Sequence, residues 1–174
     1  LALKPDDAEV FEEWGKALYG LERYEEAIEK YERAAALKPD AAEAFASLGE
    51  VLSQLKRYDK AVEEYEHALE LKPECPEAYA GWGNVLCRLG RHGEATHKYE
   101  KALELKPEHA EALGGWANAL CQLGHYEEAL AKFEKAMALK PDFEPDYMSL
   151  GNALYALGRY EDSVTKYEKA LALK

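Results

Sequence analysis

The sequence lacks the features that mark several classes of protein. It has no run of roughly 18 apolar residues, so we expect no membrane-spanning helix. Its three cysteines are an odd number at no metal-ligand spacing, which excludes a disulfide scaffold, predicts no bound metal and fits a reducing, cytoplasmic compartment. Positive charge is scarce, because 22 Lys and Arg stand against 34 Asp and Glu. The resulting net charge of −12 would repel a nucleic-acid backbone, so we expect no nucleic-acid partner.

What the sequence has is an internal repeat. The words Leu-Lys-Pro begin at Leu3, Leu37, Leu71, Leu105 and Leu139, each 34 residues after the last. The repeat predicts a single array over 1–174 with the units 3–36, 37–70, 71–104, 105–138 and 139–172. Because the chain starts and stops within the repeat, we expect it to be a fragment of a longer array.

Each unit is predicted to form two helices. The first begins after a proline and an acidic residue, with Pro76 and Pro145 in a first turn, where a missing N–H is tolerated. It should end near a glycine in the left-handed conformation, whose place Glu22 and Lys56 take in the first two units. The glycines are Gly90, Gly124 and Gly158. The second helices are predicted to start at Tyr24, Tyr58, His92, Tyr126 and Tyr160 and to run to the next Leu-Lys-Pro.

Apolar and small residues recur at equivalent positions of the units, three or four residues apart, which places them on one face of each helix. In the first helix these positions hold Phe11, Phe45, Tyr79, Leu113 and Tyr147; Trp14, Leu48, Trp82, Trp116 and Leu150; and Gly15, Gly49, Gly83, Ala117 and Gly151. In the second they hold Ala27, Ala61, Ala95, Ala129 and Ser163, and Tyr31, Tyr65, Tyr99, Phe133 and Tyr167. We expect most aromatic residues to form the core.

This pattern resembles the tetratricopeptide repeat family, whose W-x2-L-G-x2-Y…A-x3-F…P signature it matches in all five units. The chain departs from it where Trp14, Trp82 and Trp116 occupy the family's Leu position. The resemblance implies an all-α, right-handed superhelical α-solenoid of antiparallel helix pairs. It also implies that the concave groove, lined by the first helices, binds a peptide or helix of a partner protein.

The first helix of each unit has a second face, roughly 140° from the core positions at 100° per residue. The chain's Asn residues share one position on it: Asn84, Asn118 and Asn152. An amide offers both a donor and an acceptor to a peptide main chain, and the resemblance implies that use; a tolerated surface polar residue is the alternative. Nearby on this face lie Ala80, Gly114 and Met148. The small side chains among them leave room for a ligand or let neighbouring helices approach closely.

Other residues extend the candidate groove. Glu43, Glu77 and Glu111 recur at the start of first helices, either as favourable charge at a helix N-terminus or as an acidic edge that predicts a basic partner. Glu50 takes the Asn position in its unit, and Tyr19 and Tyr155 are aromatic residues outside the core positions. Family members that clamp carboxylate tails use Lys and Arg beside the Asn, and no cation stands there, so we expect no chaperone-tail partner.

Catalytic signatures are missing. The chain has no G-x-S-x-G, phosphate-binding loop or dinucleotide fingerprint, and its histidines occupy five different positions of the repeat. We therefore expect no enzyme and no cofactor, and we favour a protein-interaction scaffold. Two alternatives remain open. One is a structural array that assembles head to tail through uncapped ends, where Leu-Ala-Leu-Lys stands at both 1–4 and 171–174. The other is a regulatory or substrate-docking segment of a larger protein.

Overall fold

The computed structural model describes residues 7–172, and this part of the chain is folded into ten α-helices. They are α1 Ala8–Gly20, α2 Tyr24–Leu37, α3 Ala42–Gln54, α4 Tyr58–Leu71, α5 Pro76–Arg88, α6 His92–Leu105, α7 Ala110–Leu123, α8 Tyr126–Leu139, α9 Tyr147–Ala156 and α10 Tyr160–Ala172. All five second helices begin at the residues that the sequence predicts. The expected all-α fold is confirmed.

The chain divides into two compact units, Leu1–Val85 and Leu86–Lys174. In the first, α1 packs on α2, α2 on α3 and α3 on α4. In the second, α6 packs on α7, α7 on α8, α8 on α9 and α9 on α10. Within each of these two parts, consecutive helices are joined by short turns and run antiparallel, and neighbouring helices stack on one another, which is the packing of an α-solenoid.

The turns between the two helices of a 34-residue repeat use the left-handed backbone conformation, as expected. Gly90, Gly124 and Gly158 have φ of 74°, 80° and 76°. Glu22 and Lys56 adopt the same conformation with φ of 58°. A side chain in this region crowds the following carbonyl, so these two turns carry strain that the glycine turns avoid.

The core is built from rings that lie against residues without a side chain. Ala27, Ala61, Ala95 and Ala129 are completely buried, and Tyr31, Tyr65, Tyr99 and Phe133 lie beside them in the interior. Tyr65 fits against both Gly49 and Gly81: a Cβ at Gly49 would lie 3.0 Å from its Cε1, and one at Gly81 2.6 Å from its Cζ. The small residues of the repeat therefore admit the rings of the second helices.

Helix α9 starts later than the sequence predicts. The expectation that Pro145 lies in its first turn is wrong, because the helix begins at Tyr147 after the N-cap residue Asp146. The Asp146 carboxylate accepts hydrogen bonds from the backbone N–H groups of Met148 and Ser149 at 3.0 and 3.2 Å. This side-chain cap satisfies two N–H groups that have no partner within the helix. Pro76, by contrast, is the first residue of α5, as predicted.

The first and the last described helices each expose apolar side chains. On α1, Trp14 is half exposed beside Val10, and on α10 Tyr160, Val164 and Leu171 are exposed. The prediction that Trp14 is a core residue is wrong, since no described helix covers this face of α1. The terminal words Leu1–Lys4, and Leu173 and Lys174, lie outside the described residues.

Candidate functional site

In the first unit, a hydrogen-bonded cluster of three residues joins α1 and α3. The hydroxyl of Tyr19 donates to Glu50 Oε1 at 3.0 Å, and Gln54 Nε2 donates to the Tyr19 oxygen at 3.1 Å. Burial and the Glu50 carboxylate raise the pKa of Tyr19 to about 12, so the phenol stays protonated and remains a donor. The structure thus joins two predicted site residues, Tyr19 and Glu50, and adds Gln54, which the sequence did not single out.

The acidic edge is partly neutralised by lysines of the Leu-Lys-Pro words. Lys72 Nζ lies 2.6 Å from Glu43 Oε1, and Lys140 Nζ lies 2.9 Å from Glu111 Oε1. These hydrogen bonds are the main reason that the pKa values of Glu43 and Glu111 lie below their usual range. Glu77 is exposed on α5. The edge offers less free negative charge than the sequence suggests, which weakens the expectation of a basic partner.

The three Asn residues differ in their surroundings. Asn84 is exposed on α5 in the first unit. In the second unit, Asn152 on α9 is exposed, and its Oδ1 accepts a hydrogen bond of 2.8 Å from the hydroxyl of Tyr167 on α10. Asn118 on α7 is partly buried, and its Oδ1 has no hydrogen-bond partner among the described residues.

The difference between Asn118 and Asn152 has a simple cause. The residue 15 positions after Asn152 is Tyr167, and the residue 15 positions after Asn118 is Phe133. Phe133 lies in the core at the place that Tyr167 takes in the next repeat, but it has no hydroxyl to donate. Comparing the repeats position by position reveals this contrast, because it follows from residue type at a fixed spacing.

The space beside the small residues near the Asn position is mostly occupied by other side chains of the same protein. Gly114 is buried, and a Cβ added to it would lie 3.1 Å from Cε1 of Phe143. Ala80 is also buried. The idea that these residues leave room for a ligand is therefore wrong at Gly114, where Phe143 occupies the space. Close packing, the alternative interpretation, explains this glycine.

Helix α9 carries an exposed stripe with one amide between two apolar side chains. Met148 is 51% exposed and Tyr155 is 61% exposed, and Asn152 lies between them on the same face, with spacings of four and three residues. We call Met148, Asn152 and Tyr155 the α9 stripe. Tyr160, the first residue of α10, is 57% exposed, and its ring lies 5.3 Å from that of Tyr155. Helix α9 has no charged residue, unlike the other described helices.

The cysteines show no sign of reactivity or metal binding. Burial, helped by the charge of Asp146, raises the pKa of Cys121 to about 11, and burial also raises that of Cys87. Within residues 7–172, no group of three or more His, Cys, Asp or Glu side chains is placed to hold a metal ion. No helix in the same range is long and apolar enough to cross a membrane.

Stacked antiparallel helix pairs with an exposed polar face on the first helices define a helical-repeat protein. Models of the tetratricopeptide repeat match residues 12–79, 75–142 and 146–174. The chain belongs to the tetratricopeptide repeat family. No curated protein matches its sequence.

Solved structures of other proteins share the fold. TTC0263, a thermophilic TPR protein of Thermus thermophilus, superposes with a TM-score of 0.79 at 23% identity, covering 95% of this chain and 91% of its own. MamA from Desulfovibrio magneticus RS-1 gives 0.77 at 20% identity, with 98% and 97% covered. YrrB, described as a TPR protein with an unusual peptide-binding site, gives 0.70 at 23% identity, with 98% and 88% covered. At these identities the likeness concerns the fold alone.

Proposed function

We propose that this protein is an interaction scaffold and that the exposed faces of its first helices bind a peptide or helix of a partner protein. In the first unit the contact residues are Tyr19, Glu50 and Asn84, bordered by Glu43 and Glu77. In the second unit they are Asn118, Met148, Asn152 and Tyr155, bordered by Glu111. Ala80 and Gly114 are left out because both are buried.

The observation that carries the proposal is the α9 stripe. Exposed Met and Tyr side chains on one helix face, with a polar group between them, are what a folded domain offers to a partner rather than to water. The likeness in fold to YrrB, which is described as having a peptide-binding site, also supports a peptide partner.

The proposal is tested by selecting peptides from a random library with the intact chain. Fluorescence anisotropy then measures their affinity for the protein in which Asn84, Asn118 and Asn152 are all replaced by Ala. We expect at least about a tenfold loss, since each neutral hydrogen bond contributes about 1 kcal/mol. The control is Thr165→Ala, an exposed position on α10 whose hydroxyl donates within its own helix to Glu161 O. Unchanged affinity of the triple variant would rule out binding through the Asn face.

A second candidate function is head-to-tail assembly with further copies of the same chain. Val164 on α10 is 55% exposed, whereas its equivalent Leu130 on α8 is 8% exposed in a cluster with Leu150 of α9. The residue equivalent to Leu150 in the first repeat is the half-exposed Trp14. A second copy can therefore place Trp14 against Val164 in the register that Leu150 and Leu130 already use.

Light scattering over a range of protein concentrations tests the assembly. We expect the mass to rise with concentration, and Val164→Glu to abolish the rise while Thr165→Glu, at the next residue, leaves it in place. A monomer at every concentration would contradict this candidate.

A further inference from the structure

We infer that Tyr167 fixes the amide of Asn152 as a hydrogen-bond donor, so that the α9 stripe binds an uncharged, apolar peptide segment through one of its main-chain carbonyls. The inference rests on the proposed function and adds to it the chemistry of the partner and a positioning residue. Its starting point is the 2.8 Å hydrogen bond from the Tyr167 hydroxyl to Asn152 Oδ1.

In the structure the amide of Asn152 has one orientation, with Oδ1 facing the Tyr167 hydroxyl. A side-chain amide has a carbonyl oxygen and an NH2 group, and turning it over exchanges acceptor and donor. Because Tyr167 donates to Oδ1, the NH2 group of Asn152 is directed away from Tyr167. What Asn152 presents to a partner is therefore N–H, which needs an acceptor such as a peptide carbonyl.

The Tyr167 ring is itself held in place. A Cβ at Gly151 would lie 2.6 Å from its Cε1, which means that the ring packs directly on the α9 backbone. The hydroxyl thus reaches Asn152 from a fixed position. Asn118 has no such support, because Phe133 takes the equivalent place and has no hydroxyl. The Oδ1 atom of Asn118 is therefore without a partner among the described residues.

The surroundings of Asn152 determine what flanks the carbonyl. Met148 and Tyr155 are exposed on either side, and Tyr160 extends the apolar surface beyond Tyr155. Helix α9 carries no charged side chain, and the Asp146 carboxylate at its start is engaged by the N–H groups of Met148 and Ser149. The stripe therefore offers no ion pair that would compensate a charged residue of a partner for its lost hydration. Charge complementarity therefore favours a neutral segment with apolar side chains, in contrast to the basic partner that the acidic edge suggests.

The experiment uses the intact chain and three small probes: N-acetyl-leucine methylamide and the corresponding lysine and glutamate compounds. All three carry the same peptide carbonyls and differ only in the side chain. The protein contains two methionines, so labelling the methyl groups with 13C gives one signal for Met148 and one for the partly buried Met137, an internal reference. Labelling with 15N reports the side-chain amide of Asn152, assigned from its loss in Asn152→Ala.

We expect the leucine probe to shift the Met148 and Asn152 signals and to leave Met137 in place, with the lysine and glutamate probes weaker. In Tyr167→Phe, we expect the Asn152 amide to become more mobile and the probe to bind about fivefold more weakly, the effect of about one neutral hydrogen bond. Tyr147→Phe, which removes a hydroxyl from the same helix pair, should change neither quantity.

Three results would overturn the inference. They are equal shifts with the charged probes, an absence of shifts at the solubility limit of the leucine probe, and an Asn152 amide that Tyr167→Phe leaves unaffected. Failure of the proposed function gives a different result, because there the selected peptides keep their affinity when all three Asn are replaced.

Discussion

At the scale of single residues, equivalent positions in the five repeats do not have equivalent chemistry. The ring of a second helix lies near the first helix of the next repeat, and the residue that it faces there differs between repeats. Tyr31 hydrogen-bonds to Ser47, whereas Tyr65 and Tyr99 lie against Gly81 and Gly115. Phe133, which lacks the hydroxyl, precedes a repeat with Ser149 at that position. The residue that faces each ring thus differs between repeats, and with it the hydrogen-bond partner that a ring hydroxyl can find.

This pairing predicts how the orphaned oxygen of Asn118 can be satisfied. Phe133→Tyr should supply a donor to Oδ1, as Tyr167 does for Asn152, once Ser149→Gly removes a hydroxyl that would compete for it, as Ser47 pairs with Tyr31. We expect the double variant to be about 1 kcal/mol more stable than Ser149→Gly alone. In the Ser149 background the gain should be smaller. Urea unfolding of the four proteins measures this coupling, and equal effects of Phe133→Tyr in both backgrounds would contradict the pairing.

At the scale of helices and turns, the chain is locally strained where the repeat departs from its own pattern. Glu22 and Lys56 have φ of 58° in turns where the other three repeats use glycine. Replacing each by Gly removes the steric conflict of the left-handed conformation, although it adds freedom to the unfolded chain.

We therefore expect Glu22→Gly and Lys56→Gly each to raise the free energy of unfolding by about 0.5–1 kcal/mol. Gly124→Ala, the reverse change at an equivalent turn with φ of 80°, should lower it by about 1 kcal/mol. Thermal or urea denaturation decides the sign, and a loss of stability in both glycine variants would be the opposite result.

Two ion pairs predict that the stability of the fold depends on pH. They join the end of a second helix to the first helix of the same repeat, through Lys72 and Glu43 and through Lys140 and Glu111. The pKa values of Glu43 and Glu111 are lowered in the folded chain by Lys72 and Lys140. Their contribution to stability is therefore present above the ordinary carboxyl range and is lost as the pH falls through the lowered values.

Replacing Lys72 and Lys140 by Met should lower the free energy of unfolding only slightly at pH 7, because both ion pairs are exposed to solvent and screened. The difference from the unmodified protein should vanish in acid, once the pH has fallen through the lowered pKa values and both carboxylates are protonated. A difference that is the same at both pH values would show that the lysines act through packing alone.

At the scale of the whole molecule, the sequence predicted the architecture better than the surface. The helix type, the starts of the second helices and the left-handed turns follow from spacing and from residues with few allowed conformations. The site depends on which side chain fills each gap, and spacing alone does not decide that. Gly114 looks open in sequence but receives Phe143, and Glu43 looks free but is paired with Lys72. Likewise, Asn118 and Asn152 look alike until Phe133 and Tyr167 are considered.

The central claim is that the first helices provide the binding surface. Amide hydrogen exchange of the intact chain, with and without the tightest peptide from the library, tests it most directly, because binding slows local opening where the partner lies. We expect slower exchange in first helices, above all in α9, while exchange in α2, α4, α6 and α8 stays unchanged. Slower exchange confined to those second helices would contradict the claim.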